Sequence, residues 1–300
     1  LLTNFGFNCT MHKNTIGMAM TIDIKQQRIE SYQREGLTFD VIDSGALDGQ
    51  IFVLLHGFPE TNKSWQETSE ILNQAGYRTL AINQRGYSLG AQPEKRRDYR
   101  GSALVEDVNT LLDLIGQPVY LVGHDWGAVV AWDVAQHYPN KIKHLITVSV
   151  PHKAAFIQAM LKSNQLFKSY YMGLFQLPKI PELLFEKFPK IGLGLLKNTG
   201  MTAQQLQDFQ QDIVNEKRLS PALNWYRGLP FSSNKNLLKP ITVPTLFIWG
   251  KHDSAVGAKS VALNHRFIKA PYKEIIMDAT HWIPVQNAKE LSGYILDAVA

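Results

Sequence analysis

Short apolar runs alternate with amphipathic stretches through the first half of the chain. The runs LTFDVID (Leu37 to Asp43), IFVLLH (Ile51 to His56), RTLAIN (Arg78 to Asn83), VYLVG (Val119 to Gly123) and HLITVSV (His144 to Val150) predict strands. Between them lie three helix patterns. SWQETSEILNQAG opens on Ser64 as the expected N-cap, with Glu67 three residues on, and closes at Gly76. SALVEDVNTLLDLIG runs from Ser102 to Gly116, and GAVVAWDVAQHYP starts at Gly127. Strands that read as nearly continuous apolar runs, separated by helices, predict a buried, mostly parallel sheet with helices on both faces.

After SVPH (Ser149 to His152) the pattern changes. From Pro151 to Lys239 no strand pattern appears; the segment is aromatic and helical in tendency, broken at Pro178, Pro181, Pro189 and Pro230. Strand character returns in PTLFIWG (Pro244 to Gly250) and KEIIMD (Lys273 to Asp278), and NAKELSGYILDAVA predicts a terminal helix. The expected organisation is an α/β core, residues 21–150 and 241–300, interrupted by a helical insert, residues 151–240. Such an insert lies over the carboxyl ends of the strands, where open α/β sheets bind ligands, and reads as a lid. Residues 1–20 read as an N-terminal extension without the charged-then-apolar order of a secretory signal.

Composition narrows the function classes. With 300 residues, 45% hydrophobic and 19% charged, the chain has an ordinary soluble globular balance, and no apolar run reaches the ~18 residues of a membrane span. The single cysteine, Cys9, cannot form an intrachain disulfide, so a cytoplasmic setting is expected. The formal net charge of +5 is dispersed, with EKRR (Glu94 to Arg97) the densest cluster and no interleaving with aromatics. That argues for a solvated basic face and against a nucleic-acid partner. No metal-ligand cluster or phosphate loop appears, so neither metal nor cofactor is expected.

The stretch GHDWG, Gly123 to Gly127, has the layout of a nucleophile elbow, with Asp125 where a serine usually stands. A strand-to-helix turn lifts that side chain out of the sheet and toward a helix N-terminus, which favours an anion. A carboxylate there is ionised without help from a base and suits attack at a saturated carbon, giving an alkyl ester. A plain capping role is the competing reading of Asp125. Hydrolysis of an ester calls for a base and an orienting carboxylate, in chain order nucleophile, acid, histidine. Asp253 follows the strand TLFIWG and His281 follows EIIMDAT, with Asp278 the rival orienter. The expected oxyanion donors are the N–H groups of Phe58, in HGFPE, and of Trp126, just after the nucleophile. A cis Phe58 to Pro59 bond fits that loop.

HGFPE, RGYS, GHDWGAVVAW, SVPH, SYYMGLFQLP, NWYRGLP, TLFIWG with Asp253, and HWIP occur in order over the chain after about residue 30. In these stretches the chain resembles the epoxide hydrolase branch of the α/β-hydrolase superfamily. The resemblance implies that fold, hydrolysis of a small apolar epoxide by water to a vicinal diol, and Asp125, Asp253 and His281 as nucleophile, acid and base. It also implies two lid tyrosines that protonate the epoxide oxygen, matching Tyr171 and Tyr226 by motif. Two alternatives stay open: a haloalkane or haloacid dehalogenase on the same scaffold, and a non-catalytic ligand-binding relative. Against the first, the HGFPE loop carries no second tryptophan to hold a halide, and Trp126 stands where fluoroacetate dehalogenases place an arginine.

Overall fold

In the computed structural model, which describes residues 26–163, 165 and 170–300, the apolar runs pair into one eight-stranded sheet. The expected extension 1–20, with Cys9, lies outside the described residues. The strands are β1 (Ser31–Arg34), β2 (Leu37–Gly45), β3 (Ile51–Leu55), β4 (Arg78–Ile82), β5 (Val119–His124), β6 (Ile142–Val148), β7 (Thr245–Gly250) and β8 (Tyr272–Met277). Their spatial order is β1-β2-β4-β3-β5-β6-β7-β8, antiparallel across β1, β2 and β4 and parallel from β4 to β8.

Every residue of β3, β4, β5 and β7 is buried, because helices cover both faces of the sheet. Alternation divides them: Val53 and Leu55 point into one apolar cluster, Phe52 and Leu54 into the other. Each such side chain contributes roughly 1.5–3 kcal/mol by leaving water. The edge strand β1 has no counterpart among the expected strands. Its only buried residue is Tyr32, too little for a pattern; it forms where that ring stacks on Phe39 at 4.9 Å.

The core helices include α1 (Gln66–Gln74), α2 (Gly101–Ile115) and α3 (Trp126–His137). Gly76 and Gly116 close the first two at φ of 89° and 68°, where a Cβ would be strained. The start of α1 corrects the expected Ser64 cap. A 3-10 turn, Asn62–Trp65, intervenes, and the Ser64 hydroxyl donates to the Thr61 carbonyl at 2.9 Å. Asn62 causes the shift: its backbone N–H donates to Asn83 and its carboxamide to the Ala81 carbonyl, tying the turn to the end of β4.

Between β6 and β7 the described residues are helical: α4 (Lys153–Lys162), α5 (Tyr170–Gln176), α6 (Ile180–Glu186), α7 (Pro189–Lys197), α8 (Ala203–Asp208), a π-helical stretch Phe209–Asn215, and α9 (Leu219–Arg227). Pro181 and Pro189 sit in the first turns of α6 and α7, where a missing N–H costs nothing. Both ends of the insert meet Gln136 of α3. Its carboxamide nitrogen lies 2.8 Å from His152 Nε2 and donates to the Lys239 carbonyl at 2.5 Å, while Lys239 Nζ donates to the Gln136 carbonyl. After β7 come α10 (Ala258–Asn264), α11 (Ile283–Gln286) and α12 (Ala288–Val299). No described helix is long and apolar enough to cross a membrane.

Candidate active site

Asp125 sits between β5 and α3 at φ 52° and ψ −119°, a conformation that costs a non-glycine residue about 1–3 kcal/mol. The surrounding glycines allow the turn by admitting close backbone approach. A Cβ on Gly127 would lie 2.1 Å from the Leu55 carbonyl oxygen, one on Gly123 would lie 2.3 Å from that of Gly127, and one on Gly57 would lie 2.3 Å from Asp125 Cβ. The Asp125 carboxylate makes no capping bond to α3, which removes the capping alternative. Its Oδ1 instead accepts the Phe58 N–H at 2.9 Å, and its Oδ2 lies 3.5 Å from His281 Nε2.

Phe58 is the residue expected to carry an oxyanion donor, and the loop around it is fixed from below. His56 Nδ1 donates to the Gly57 carbonyl, its Nε2 accepts the Gln84 N–H, and the Phe58 to Pro59 peptide is cis. Burial pushes the His56 pKa down to about 4, so the ring keeps this donor and acceptor pair at neutral pH. Trp126 opens α3, and its N–H belongs to the first turn, whose donors have no partner within the helix.

His281 follows β8 and turns Nδ1 onto Asp253 Oδ2 at 2.8 Å. Asp253 is fixed in turn: its Oδ1 accepts the N–H groups of Ala255 and Val256 at 2.8 and 2.9 Å. The rival Asp278 points outward, to His252 Nε2 at 2.8 Å and Lys251 Nζ at 3.1 Å. For His281, burial lowers the pKa, but the Asp253 and Asp125 carboxylates outweigh it and hold the ring well above its ordinary 6.5. For Asp125, burial raises the pKa, while His281, His124 and the Phe58 N–H together bring it below 3.8.

The insert supplies the opposite wall. Tyr171 of α5 and Tyr226 of α9 have ring centroids 6.1 Å apart, and Tyr226 stands edge-on to Phe58 and Trp126 at 5.4 and 5.1 Å. Both phenol pKa values are pushed up mainly by burial and, to a lesser degree, by the charge on Asp125. The Trp126 indole, edge-on to the Tyr226 ring, opposes that rise. Asp125, His281, Tyr171, Tyr226 and Phe58 all line one cavity of about 200 Å³, otherwise walled by Leu174, Phe175, Leu196 and Trp282 among others. An apolar cavity with a few convergent polar groups is the usual form of a small-molecule site.

Three residues of this centre, His124, Glu60 and Ser149, were not singled out in the sequence. His124 is fully buried; its Nε2 donates to the His281 carbonyl oxygen at 2.9 Å, and its Nδ1 lies 3.3 Å from the buried Glu60 carboxylate. Ser149 Oγ donates to the same His281 carbonyl at 3.1 Å. Glu60 and His124 stand inside HGFPE and GHDWG, and that position beside Phe58 and Asp125 was the only signal. Among the described residues no group of three or more His, Cys, Asp or Glu side chains could hold a metal ion.

The alpha/beta hydrolase fold family matches residues 50–288. Epoxide hydrolase 3 of Xenopus tropicalis is 35% identical over 276 residues, covering 87% of this chain and 74% of the relative. The AB hydrolase superfamily protein YfhM of Bacillus subtilis is 32% identical over 270 residues, covering 87% of this chain and 94% of that one. A crystal structure of an epoxide hydrolase from Vigna radiata superposes with a TM-score of 0.75 at 25% identity, covering 90% of this chain and 96% of that one.

Proposed function

The chain belongs to the α/β-hydrolase family, on its epoxide hydrolase branch, and from that membership we propose that it hydrolyses epoxides to vicinal diols through a covalent ester on Asp125. The observation that carries the reading is the single cavity shared by Asp125, His281, Tyr171 and Tyr226. Residues 151–240 act as the cap that closes it.

In the first step an Asp125 oxygen attacks an epoxide carbon, the carbon–oxygen bond breaks, and the ring oxygen takes a proton from a cap tyrosine. Oδ1 is occupied by the Phe58 N–H, so Oδ2 is the attacking atom. An alkoxide is about as basic as hydroxide, near ~15.7 on the water scale, whereas a phenol near ~10 can supply its proton. Ester formation removes the Asp125 charge that helps raise both phenols, so their acidity grows as the alkoxide develops.

The same loss of charge prepares the second step. With Asp125 esterified, only Asp253 still raises His281, so the imidazolium gives its proton to the phenolate left by the first step and the ring becomes a base. His281 Nε2 takes a proton from water, whose oxygen adds to the ester carbonyl carbon. The oxyanion forms on Oδ1, held by the N–H groups of Phe58 and Trp126. Collapse passes the adduct's hydroxyl proton to the leaving oxygen, releases the diol and restores the Asp125 carboxylate beside the protonated His281. The reaction needs only substrate and water, with no metal or cofactor, and suits the cytoplasmic setting expected of a chain with one cysteine.

The test is Asp125→Asn and His281→Gln, assayed separately for diol. Each is expected to lower turnover by ~10³-fold or more. Mass spectrometry of the His281→Gln protein after mixing with epoxide should show one substrate mass on the Asp125 peptide. Diol formation that survives both changes would falsify the mechanism. Halide release from an organohalide, without diol from any epoxide, would transfer the chain to the dehalogenase reading.

A further inference from the structure

Of the thirteen large apolar side chains exposed among the described residues, five fall within the fifteen positions from Leu177 to Ile191. They are Leu177, Ile180, Leu183, Phe188 and Ile191, with Phe188 and Ile191 each 58% exposed. Ile180 and Leu183 lie one turn apart on α6; Phe188 and Ile191 are likewise three residues apart where α7 begins, and the two helices pack together. Scattered exposed hydrophobes are normal, but a cluster of this kind marks an interaction surface.

The charge around the patch identifies what it meets. Lys179, Lys187, Lys190 and Lys197 are all exposed on the same two helices or their ends, against Glu186 alone as an exposed carboxylate. Glu182 is neutralised by Arg227, whose Nη1 and Nη2 donate to its two oxygens at 2.7 and 2.9 Å. The sequence dispersed these lysines among other residues; the helical hairpin gathers them. Apolar side chains rimmed by lysines are the pattern of an interfacial segment on an anionic bilayer. A second copy of the chain presenting this face would set like charge against like charge.

We propose that the outer face of α6 and α7 docks on an anionic lipid surface. Its bearing on function rests on the epoxide reading above. The inner faces of these helices carry Phe185, Leu195 and Leu196, which line the catalytic cavity, so one pair of helices separates the bilayer from the site. An apolar epoxide concentrates in lipid, and a site one helix layer away draws from that pool.

The experiment is co-sedimentation of the whole protein with vesicles of phosphatidylcholine alone and of phosphatidylcholine with about one third phosphatidylglycerol. Binding is expected to the anionic vesicles, to fall as salt is raised, and to be weak on the neutral ones. Lys187→Glu with Lys190→Glu should weaken it by roughly tenfold or more, and Leu183→Ser with Ile191→Ser should do the same. Both double variants should keep the wild-type melting temperature and the wild-type turnover of a water-soluble epoxide. Equal binding to both vesicle types, or unchanged binding in both variants, overturns the proposal. So does self-association of the wild type that the variants abolish, which would make a second copy the occupant. Sedimentation requires no turnover, so a failure of the epoxide reading is seen separately in the diol assay.

Discussion

The core and the helical insert hold their parts of the site by different means. In the core, backbone geometry does it. Asp125 is set by the glycine-lined turn between β5 and α3, and Asp253 is pinned by two backbone N–H groups at 2.8 and 2.9 Å. In the insert, side chains do it. Arg227, next to Tyr226, donates to Glu182 and to the carbonyls of Phe175 and Leu177, and Gln176 donates to the Tyr226 carbonyl at 2.6 Å. Those bonds tie α9 to the end of α5, the two helices that carry the tyrosines. The lesson is a division of tolerance: the proposed nucleophile and base have one backbone-defined arrangement, while the proposed acid groups sit where side-chain repacking can follow a ligand.

The largest test of this contrast is a matched pair of glycines. Gly127→Ala places a Cβ 2.1 Å from the Leu55 carbonyl oxygen, backbone on backbone, and should cost more than about 4 kcal/mol, read as loss of soluble folded protein. Gly194→Ala, in the insert helix α7, meets nothing within 4 Å. It should instead raise the melting temperature, by about 0.5–1 kcal/mol of stability. If both substitutions were neutral, the core would be no more backbone-defined than the insert.

Next in size are the tyrosines. Tyr171→Phe and Tyr226→Phe should each lower diol formation by ~10²-fold, with little change in melting temperature, because only a proton donor is removed. The double change should leave residual activity on an organohalide untouched, since a halide leaves without a proton. A single change as damaging as Asp125→Asn would show the acid geometry to be as unforgiving as that of the nucleophile.

The smallest effect is in pH. His281 is raised above its ordinary 6.5 in the fold, so its contribution to stability is complete below that pH and is lost as pH climbs through the higher folded value. Tyr171 and Tyr226 are also raised, but from an ordinary 10, so they add no slope until the solution is strongly alkaline. Thermal melts between about pH 7.5 and about pH 9, above the range where the depressed His56, His144 and His152 contribute, therefore follow His281 in the core. Asp125→Asn removes one of the two carboxylates that raise His281 and should flatten the decline. A slope unchanged in that variant would assign the decline to other groups.

How much was legible follows the same division. The buried strands announced themselves because apolar runs covered on both faces leave little ambiguity, and Asp125, Asp253 and His281 followed from their places at strand ends. The strand order did not: nothing in VYLVG says that β5 lies beside β3 rather than β4. Ser31–Arg34 was invisible because a four-residue edge strand with one buried ring has no period. Ser64 misled because the preceding turn is held by Asn62 reaching across to β4, a tertiary bond outside any local window. Tyr171 and Tyr226 were found only through resemblance, since aromatic spacing on a helix looks the same whether a ring packs or reacts. Glu60 and His124 were missed because a buried carboxylate beside an imidazole is a pairing across the sheet ends.

The two ends of the insert converge on one side chain, that of Gln136, which touches His152 where the chain departs and Lys239 where it returns. In evolutionary and engineering terms this makes the segment a cassette. Its length and content can change, by recombination or by design, while the sheet beneath sees one unaltered pair of junctions. A segment taken from a relative and joined at these two positions would inherit the proposed nucleophile and base with their spacing intact, and would bring its own cavity wall with it.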